Sequence, residues 1–172
     1  TVLVSSQGQD QEICFNQNIE NPCKTLQYVL TGSIKHINTI YITGKNNRYQ
    51  ACSKRVTLLN IATVGKLISL IGINHLKYHC GLSLFGDGKI LGTIILITNI
   101  TFVNIKISLF GVSAIFQNTI FLKCNLTDVN YVKSLQMYLT FSQTYWRGYS
   151  SNALKISHST MIHLSIFKSF LL

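Results

Sequence analysis

Short apolar runs separated by turn-forming residues dominate this sequence from about residue 56 onward. Gly and Asn are common in the intervening turns, and no helical periodicity is visible there. Apolar runs of about four to eight residues between such turns are typical of β-strands. The predicted strands are Val56–Leu59, Leu67–Ile73, Leu82–Phe85, Thr93–Ile97 and Ile100–Ile107.

Residues 1–34 carry a different pattern and are predicted to form an N-terminal cap. Val2–Val4 predicts a short strand, and Ser5–Asp10 predicts a turn. A short helix is predicted next, because Leu26, Val29 and Leu30 share one helical face.

This predicted helix has signals at both ends. Asn21 can cap its amino terminus, and Pro22 suits the first turn because its missing N–H would be unpaired there anyway. Gly32 supplies the stop. Beyond the helix, Thr39–Thr43 alternates as a strand does, and Gly44–Asn47 predicts a turn.

An internal repeat appears when four large apolar residues are aligned, because the steps between them are nearly equal: Phe102, Phe121, Phe141 and Met161. A period of about 20 without helices predicts a solenoid built from strands, in which each coil stacks like side chains on its neighbours. At this period, residues 35–172 give about seven coils. Asn99 and Asn118 lie at matching positions, and the side chain of an inward Asn at a bend can hydrogen-bond to the backbone of the neighbouring coils.

Leucine-rich repeats have a similar period and are the structural alternative. Their L-x-x-L-x-L-x-x-N signature should recur along the chain. The nearest match, at residues 67–74, is imperfect and occurs once. The pattern therefore favours an all-β solenoid that spans positions 1–172 as a single domain.

The cap carries a distinctive order of motifs: Val2–Asp10, then Cys14, then Asn21–Leu30, then Thr39–Ile42. This order resembles the start of extracellular proteins of the pectate-lyase-like superfamily, in which a strand, a Gly-and-Asp turn, a P-C-x-T-L helix and a T-I-x-L strand cap the solenoid. Asn99–Asn104 resembles the coil strand that is repeated after such a cap. The resemblance implies a single-stranded right-handed parallel β-helix with an N-terminal capping helix. It covers about a quarter of the chain, and surface and adhesin-type proteins belong to that group.

Composition supports a folded chain. Hydrophobic residues make up 47 % and charged residues 12 %, with one proline, which excludes disordered and collagen-like classes. No apolar run reaches the roughly 18 residues of a membrane helix, so no membrane span is expected. The chain begins at Thr1 without an initiator methionine, as expected for a mature product after removal of a signal peptide or for an excised fragment. The apolar segment 164–172 lacks a polar cap, so we expect the native chain to continue or a second subunit to cover this end.

The five cysteines include no C-x-x-C pair of the kind that zinc and redox sites use. Disulfides are the better explanation, and they indicate an oxidising, extracellular location. Cys14 and Cys23 bracket a polar loop, and Cys52 and Cys80 flank a pair of strands, so these are the favoured pairings. Cys124 would remain as a buried thiol.

Basic residues exceed acidic ones by fifteen to five, for a formal charge of +10. The clearest cluster is Lys45, Arg48, Lys54 and Arg55. Such a cluster is either a binding face for an acidic partner or a solvated, solubilising surface, and charge alone leaves both open.

A second candidate binding patch concentrates aromatic side chains beside a cation in a predicted loop: Tyr145, Trp146, Arg147 and Tyr149. Exposed aromatics with an Arg can stack on sugar rings or anchor a protein partner, and simple packing is the alternative. Asn99 and Asn125 begin N-x-[ST] sequons. Asn125, beside a turn, is the better glycosylation candidate.

No catalytic set is visible. Polysaccharide-cleaving enzymes of this fold use grouped carboxylates, whereas the acidic residues here are dispersed: Asp10, Glu12, Glu20, Asp87 and Asp128. His75 and His79 are interpreted as surface histidines rather than metal ligands. Gly86–Lys89 is predicted to form a tight turn and lacks the spacing of a phosphate loop.

These observations predict a non-catalytic extracellular adhesion or recognition module, without cofactor or metal. Its expected partner is a glycan or an extracellular protein, with no specific nucleic-acid recognition. Self-association through the C-terminal end is also expected. The alternative function is a polysaccharide lyase or hydrolase acting on anionic glycans, or a degenerate relative of one.

Overall fold

A computed structural model describes residues 1–16, 20–32, 37–52, 67–85, 94–110, 112–129, 137–147, 154–157, 162–167 and 170–171. Within these ranges strands dominate, beside one α-helix, α1 (Leu26–Gly32), and 3-10 segments at Glu12–Phe15 and Lys45–Asn47. The strands are β1 (Val2–Ser5), β2 (Thr39–Thr43), β3 (Arg48–Tyr49), β4 (Leu67–Tyr78), β5 (Leu82–Phe85), β6 (Ile94–Val103), β7 (Lys106–Phe110), β8 (Ser113–Gln117), β9 (Ile120–Leu122), β10 (Asn125–Val129), β11 (Met137–Ser142), β12 (Tyr145–Arg147), β13 (Leu154–Ser157), β14 (Ile162–Phe167) and β15 (Phe170–Leu171).

The described strands pair in parallel and form two sheets. The larger has eleven strands, and its main path runs β1-β2-β4-β6-β8-β11-β14. The smaller has four strands in the order β13-β10-β7-β5. Along the larger sheet each strand pairs with one from a later stretch of chain, as Ile94 does with Ser113 and Tyr145 does with Phe170. The fold is therefore mostly β, with parallel sheets, as the strand pattern predicts.

Most predicted strands are present, with changes at their ends. β1, β2 and β5 match the predicted segments to within one residue. The run at Leu67–Ile73 continues to Tyr78 in β4. The run predicted at Ile100–Ile107 is divided, because β6 joins its first part to the run at Thr93–Ile97 and its last two residues begin β7. Val56–Leu59 lies outside the described residues.

Two columns of buried side chains fill the space beneath the larger sheet. One column consists of ladder partners on successive strands: Val2, Ile40, Leu70, Ile97, Phe116 and Phe141. The second is aromatic and consists of Tyr49, Tyr78, Phe102 and Phe121. Burying one such side chain is worth roughly 1.5–3 kcal/mol, so these columns contribute substantially to the stability of the fold.

The predicted repeat is correct for one step and wrong for the next. Phe102 and Phe121 are ladder partners with ring centroids 5.4 Å apart. Phe141, however, pairs with Phe116 and not with Phe121, because the number of residues between paired positions is larger here than between Phe102 and Phe121. Phe121 still contacts Phe141 edge-on at 6.3 Å, so the three predicted anchors share one core. Met161 lies outside the described residues.

A bend with left-handed backbone repeats along the sheet. Asn99 has φ 57° and Asn118 has φ 48°, and Asn is among the residues that tolerate this region best. The side-chain amide of Asn118 donates a 2.6 Å hydrogen bond to Oδ1 of Asn99. The predicted stacking of these two residues is confirmed, although the bond joins side chain to side chain rather than side chain to backbone.

Helix α1 begins later than predicted. Cys23 forms a parallel bridge with Val4, so the chain at Asn21 and Pro22 is not yet helical. Thr25 caps the helix, since the Tyr28 N–H donates to its Oγ1 at 3.1 Å. Helix α1 ends at Gly32, as expected.

Asp10 holds this start of the helix in place. One carboxylate oxygen accepts 2.8 Å hydrogen bonds from the main-chain N–H groups of Lys24 and Thr25, and the other accepts one of 2.7 Å from the Thr25 hydroxyl. The acidic side chain that fixes the helix boundary therefore comes from the preceding turn and not from the helix sequence itself.

The disulfides follow the favoured pairing, Cys14 with Cys23 and Cys52 with Cys80. Cys124 is a buried free thiol, and burial raises its pKa. No helix among the described residues is long and apolar enough to cross a membrane.

Candidate functional site

Four basic side chains converge on one open cleft of about 700 Å³ beside the cap. They are Lys24, Lys45, Arg48 and Lys77, and all four are exposed. We call this feature the basic cleft. The described residues that line it include no Asp or Glu, although the carboxylate of Asp10 lies beside it and accepts a hydrogen bond from the Lys24 main-chain N–H, so the site carries an excess of positive charge.

Separate elements supply these cations. Lys24 immediately precedes α1, Lys45 begins the 3-10 segment after β2, and Arg48 is the first residue of β3. Lys77 lies near the end of β4, where it is the direct ladder partner of Arg48. Neighbouring strands lie about 4.8 Å apart, so these two cations are held side by side.

Adjacent like charges on a ladder destabilise a sheet. The pairing of Arg48 with Lys77 therefore breaks a local rule of folding. Such violations are expected at functional sites, where a bound ligand supplies the missing compensation.

The turn that carries Lys45 and Arg48 is tightly constrained. Asn46 and Asn47 have φ values of 52° and 56°, and the Asn47 N–H donates to the Gly44 carbonyl at 3.2 Å. A Cβ atom at Gly44 would overlap the main-chain carbonyl of Arg48. Because the backbone here has so little freedom, the Cα positions of Lys45 and Arg48, from which the two side chains extend, are fixed before a ligand arrives.

The side chain of Tyr49 connects two of the segments that line the basic cleft. Its buried hydroxyl donates towards the carbonyls of Lys24 at 2.9 Å and Ala51 at 3.2 Å, and it accepts from the Leu26 N–H at 3.3 Å. Its ring stacks on Tyr78, with centroids 5.2 Å apart. Cleft residues from distant parts of the sequence are thus joined through one side chain.

Burial raises the pKa of Tyr49 to about 12. The hydrogen bond from Leu26 lowers the pKa, and the nearby charge of Asp10 raises it. The hydroxyl consequently remains protonated at physiological pH and acts as a donor.

A disulfide locks the same region. Cys52 directly follows Ala51, and Cys80 lies shortly beyond Lys77. Their Cα atoms are 5.1 Å apart. The bond therefore ties the segment after β3 to the segment after β4. Strand β3 carries Arg48, and strand β4 carries Lys77.

The structure unites part of the predicted basic cluster and adds to it. Lys45 and Arg48 both line the cleft, whereas Lys54 and Arg55 lie outside the described residues. Lys24 and Lys77 were missed because each is isolated among neutral neighbours in the sequence. Lys77 approaches the cluster through the strand register, and Lys24 approaches it through the hydrogen bond of its carbonyl with Tyr49.

The aromatic patch is placed differently from the prediction. Tyr145, Trp146 and Arg147 form β12 and do not lie in a loop, so the loop prediction is wrong. Trp146 is the ladder partner of Phe121. Tyr145 is 40 % exposed and Arg147 is also exposed, as expected for residues two apart on one strand face. Tyr149 is outside the described residues.

The two sequons differ in accessibility. Asn125 is exposed at the start of β10, while Asn99 is half-buried and its Oδ1 accepts the hydrogen bond from Asn118.

His75 is exposed and His79 half-buried. The described residues contain no group of three or more His, Cys, Asp or Glu that could hold a metal ion.

No family model matches this sequence, and neither a curated protein nor a solved structure gives a significant match. The likeness of residues 1–42 to the pectate-lyase-like cap is therefore a resemblance of motifs. The basic cleft has to be interpreted from its own geometry.

Proposed function

We propose that this chain is a non-catalytic adhesion or recognition module of a secreted protein, and that its basic cleft binds an anionic partner, either a glycan or an extracellular protein. The observation that carries this proposal is the convergence of Lys24, Lys45, Arg48 and Lys77 on one cleft whose described lining has no acidic residue. Four cations held together repel one another, and an anion bound among them removes that repulsion.

The proposed architecture is a single-stranded right-handed parallel β-helix with an N-terminal cap. Support comes from the parallel pairing of successive strands, the buried columns and the repeated left-handed bend. Right-handed crossovers are strongly preferred between parallel strands of one sheet. Such a solenoid suits recognition because its surface grows by repetition while each coil is stabilised by its neighbours.

Secretion is part of the same proposal. Two disulfides persist best in an oxidising compartment, and the exposed Asn125 offers an accessible acceptor for an N-linked glycan. Tyr145 and Arg147 on the outer face of β12 would form a secondary contact, since an aromatic ring beside a cation can stack on a sugar.

The test is a binding array of glycans and extracellular proteins, probed with the full chain at low and high salt. Arg48→Gln with Lys77→Gln removes two cleft cations, and Lys106→Gln with Lys123→Gln is the matched control because these exposed lysines do not line the cleft. We expect the first pair to lose a salt-sensitive signal and the second pair to retain it. Equal binding by both pairs would refute a role for the cleft.

The enzymatic alternative is tested in parallel. The full chain is incubated with anionic polysaccharides, with and without calcium, and released reducing ends are measured. We expect no turnover above a heat-denatured sample. Cleavage would contradict the non-catalytic proposal directly.

A further inference from the structure

We infer that the anionic partner of the basic cleft is a densely sulfated polysaccharide. This inference rests on the proposed function and narrows it to one class of ligand. It follows from the arrangement of the cations, from the number of charges per length of ligand, and from the neutral lining of the cleft.

The cation set suits a tetrahedral oxyanion better than a planar carboxylate. A carboxylate is matched by the fork of a single Arg, which takes both of its oxygens. Here the cations are three lysines and one Arg, and Arg48 stands beside Lys77 in the ladder. A sulfate ester presents three terminal oxygens, so it can accept from both neighbours at once, whereas lysines act as point charges without a planar preference.

Charge density points the same way. The cleft volume of about 700 Å³ lies within the range of small-ligand sites, so it holds a short stretch of a polymer. The bound stretch of polymer must therefore supply enough negative charge to balance the four cations of the cleft. A carboxylated polysaccharide supplies at most one charge per sugar ring, while sulfation can place more than one charge on a ring.

The neutral part of the lining favours a glycan over a peptide or a nucleic acid. Ser6, Asn46 and Gln50 offer hydrogen bonds suited to sugar hydroxyls. Ala51 is the one apolar residue among the described lining, so the large apolar contacts that usually anchor a protein partner are missing there. No aromatic side chain is among the described lining residues either, and single-stranded nucleic acids generally require such stacking platforms.

The decisive experiment compares heparin with chemically desulfated heparin, which keeps the same backbone and carboxylates. Binding of the full chain is measured by calorimetry at neutral pH, and polygalacturonate, poly-glutamate and single-stranded DNA are the other probes. We expect heparin to bind and the desulfated polymer to bind at least ~10-fold more weakly, because charge-assisted hydrogen bonds carry most of the affinity. Heparin affinity should also fall as salt rises.

Variants separate the cleft from general surface charge. Arg48→Gln with Lys77→Gln should weaken heparin binding by ~10-fold or more, while Lys106→Gln with Lys123→Gln should change it by less than ~3-fold. Thermal unfolding of both pairs shows that any loss is not a loss of fold. Equal losses in the two pairs would mean that net charge, and not the cleft, binds the polymer, and would overturn the inference.

The outcomes distinguish this inference from the broader proposal. If polygalacturonate or desulfated heparin binds as tightly as heparin, the cleft recognises carboxylates, so the sulfate inference fails and the anionic-ligand proposal stands. Tighter binding of poly-glutamate or DNA likewise overturns the glycan assignment alone. If no polyanion binds, both fail.

Discussion

The hydroxyl of Tyr49 donates a 2.9 Å hydrogen bond to the main-chain carbonyl of Lys24. These residues are distant in sequence and belong to β3 and to the segment before α1. The bond therefore fastens the cap to the larger sheet at the point where Lys24 joins the basic cleft. One buried polar contact thus serves both stability and the geometry of the site.

Replacing this hydroxyl tests that role. Tyr49→Phe keeps the ring stacked on Tyr78 but leaves the Lys24 and Ala51 carbonyls without their donor. We expect the free energy of unfolding in urea to fall by about 1–3 kcal/mol, because a buried polar group loses its partner. Tyr41→Phe, on the exposed face of β2, is the control and should stay within about 0.5 kcal/mol of the parent. Indistinguishable stabilities would show that the bond contributes nothing.

Alkaline pH should destabilise the protein through the same residue. The pKa of Tyr49 is about 12 in the fold against an ordinary 10.0, and burial also raises the pKa of Tyr78. A raised pKa means that the fold favours the neutral form, so this contribution is complete below pH 10 and declines as pH rises from 10 towards 12. Unfolding free energies measured at intervals across that range should show the decline, and Tyr49→Phe should show less of it. Titration of all tyrosines near pH 10 in an intact fold would disprove the burial.

Local patterns predicted much of the fold because they depend on local physics. The strands β1, β2 and β5 follow from short apolar runs between turns, and the partners of both disulfides follow from cysteines that flank turns or strands. The start of α1 could not be predicted locally, because the carboxylate of Asp10 fixes it from an earlier turn of the chain. Sequence order alone does not contain that contact.

The register between strands was harder to predict than the strands themselves. The sequence supplied the step between Phe102 and Phe121 correctly, but a constant period placed Phe141 on the wrong partner. Unequal numbers of residues between successive paired strands keep the hydrophobic pattern and change which residues become ladder partners. Register also explains why only part of the basic cleft was predicted. Arg48 belongs to a cluster that is visible in the sequence, whereas Lys77 lies beside Arg48 only because the two are ladder partners.

The asparagine pair at the repeated bend gives a third prediction. Asn118→Ala removes the hydrogen bond to Asn99 and forces Ala into a backbone with φ 48°. We expect a loss of about 2 kcal/mol, since the left-handed conformation costs ~1–2 kcal/mol and the hydrogen bond contributes about 1 kcal/mol. Asn118→Gly removes the bond but adopts this backbone freely, so its loss should be smaller. Denaturant unfolding that ranks the two variants the other way round would contradict this account.

The Cys52–Cys80 disulfide should matter for the cleft as well as for stability. Replacing both cysteines with Ser releases the segments that follow β3 and β4 from each other. It also removes the cross-link between two positions that are 28 residues apart in the sequence. We expect a stability loss of about 2–4 kcal/mol and weaker binding of the anionic probe, because the cations are no longer pre-positioned. The comparison is the Cys14–Cys23 pair, which lies in the cap and is next in sequence to Lys24 but to none of the other three cleft cations. Its removal should lower stability with less effect on affinity, and the reverse pattern would exclude the proposed positioning.

Register within the aromatic core can be measured by double-mutant cycles. Phe116 and Phe141 are ladder partners that stack at 5.4 Å, while Phe121 meets Phe141 edge-on at 6.3 Å. Truncating either partner to Leu should cost about 1–2 kcal/mol, and the stacked pair should show a coupling energy of about 0.5–1.5 kcal/mol. The coupling energy of the edge-on pair should be smaller, because its ring centroids are farther apart than those of the stacked pair. If the coupling between Phe121 and Phe141 is the larger, the chain keeps a constant period after all, and the longer step that pairs Phe141 with Phe116 is wrong.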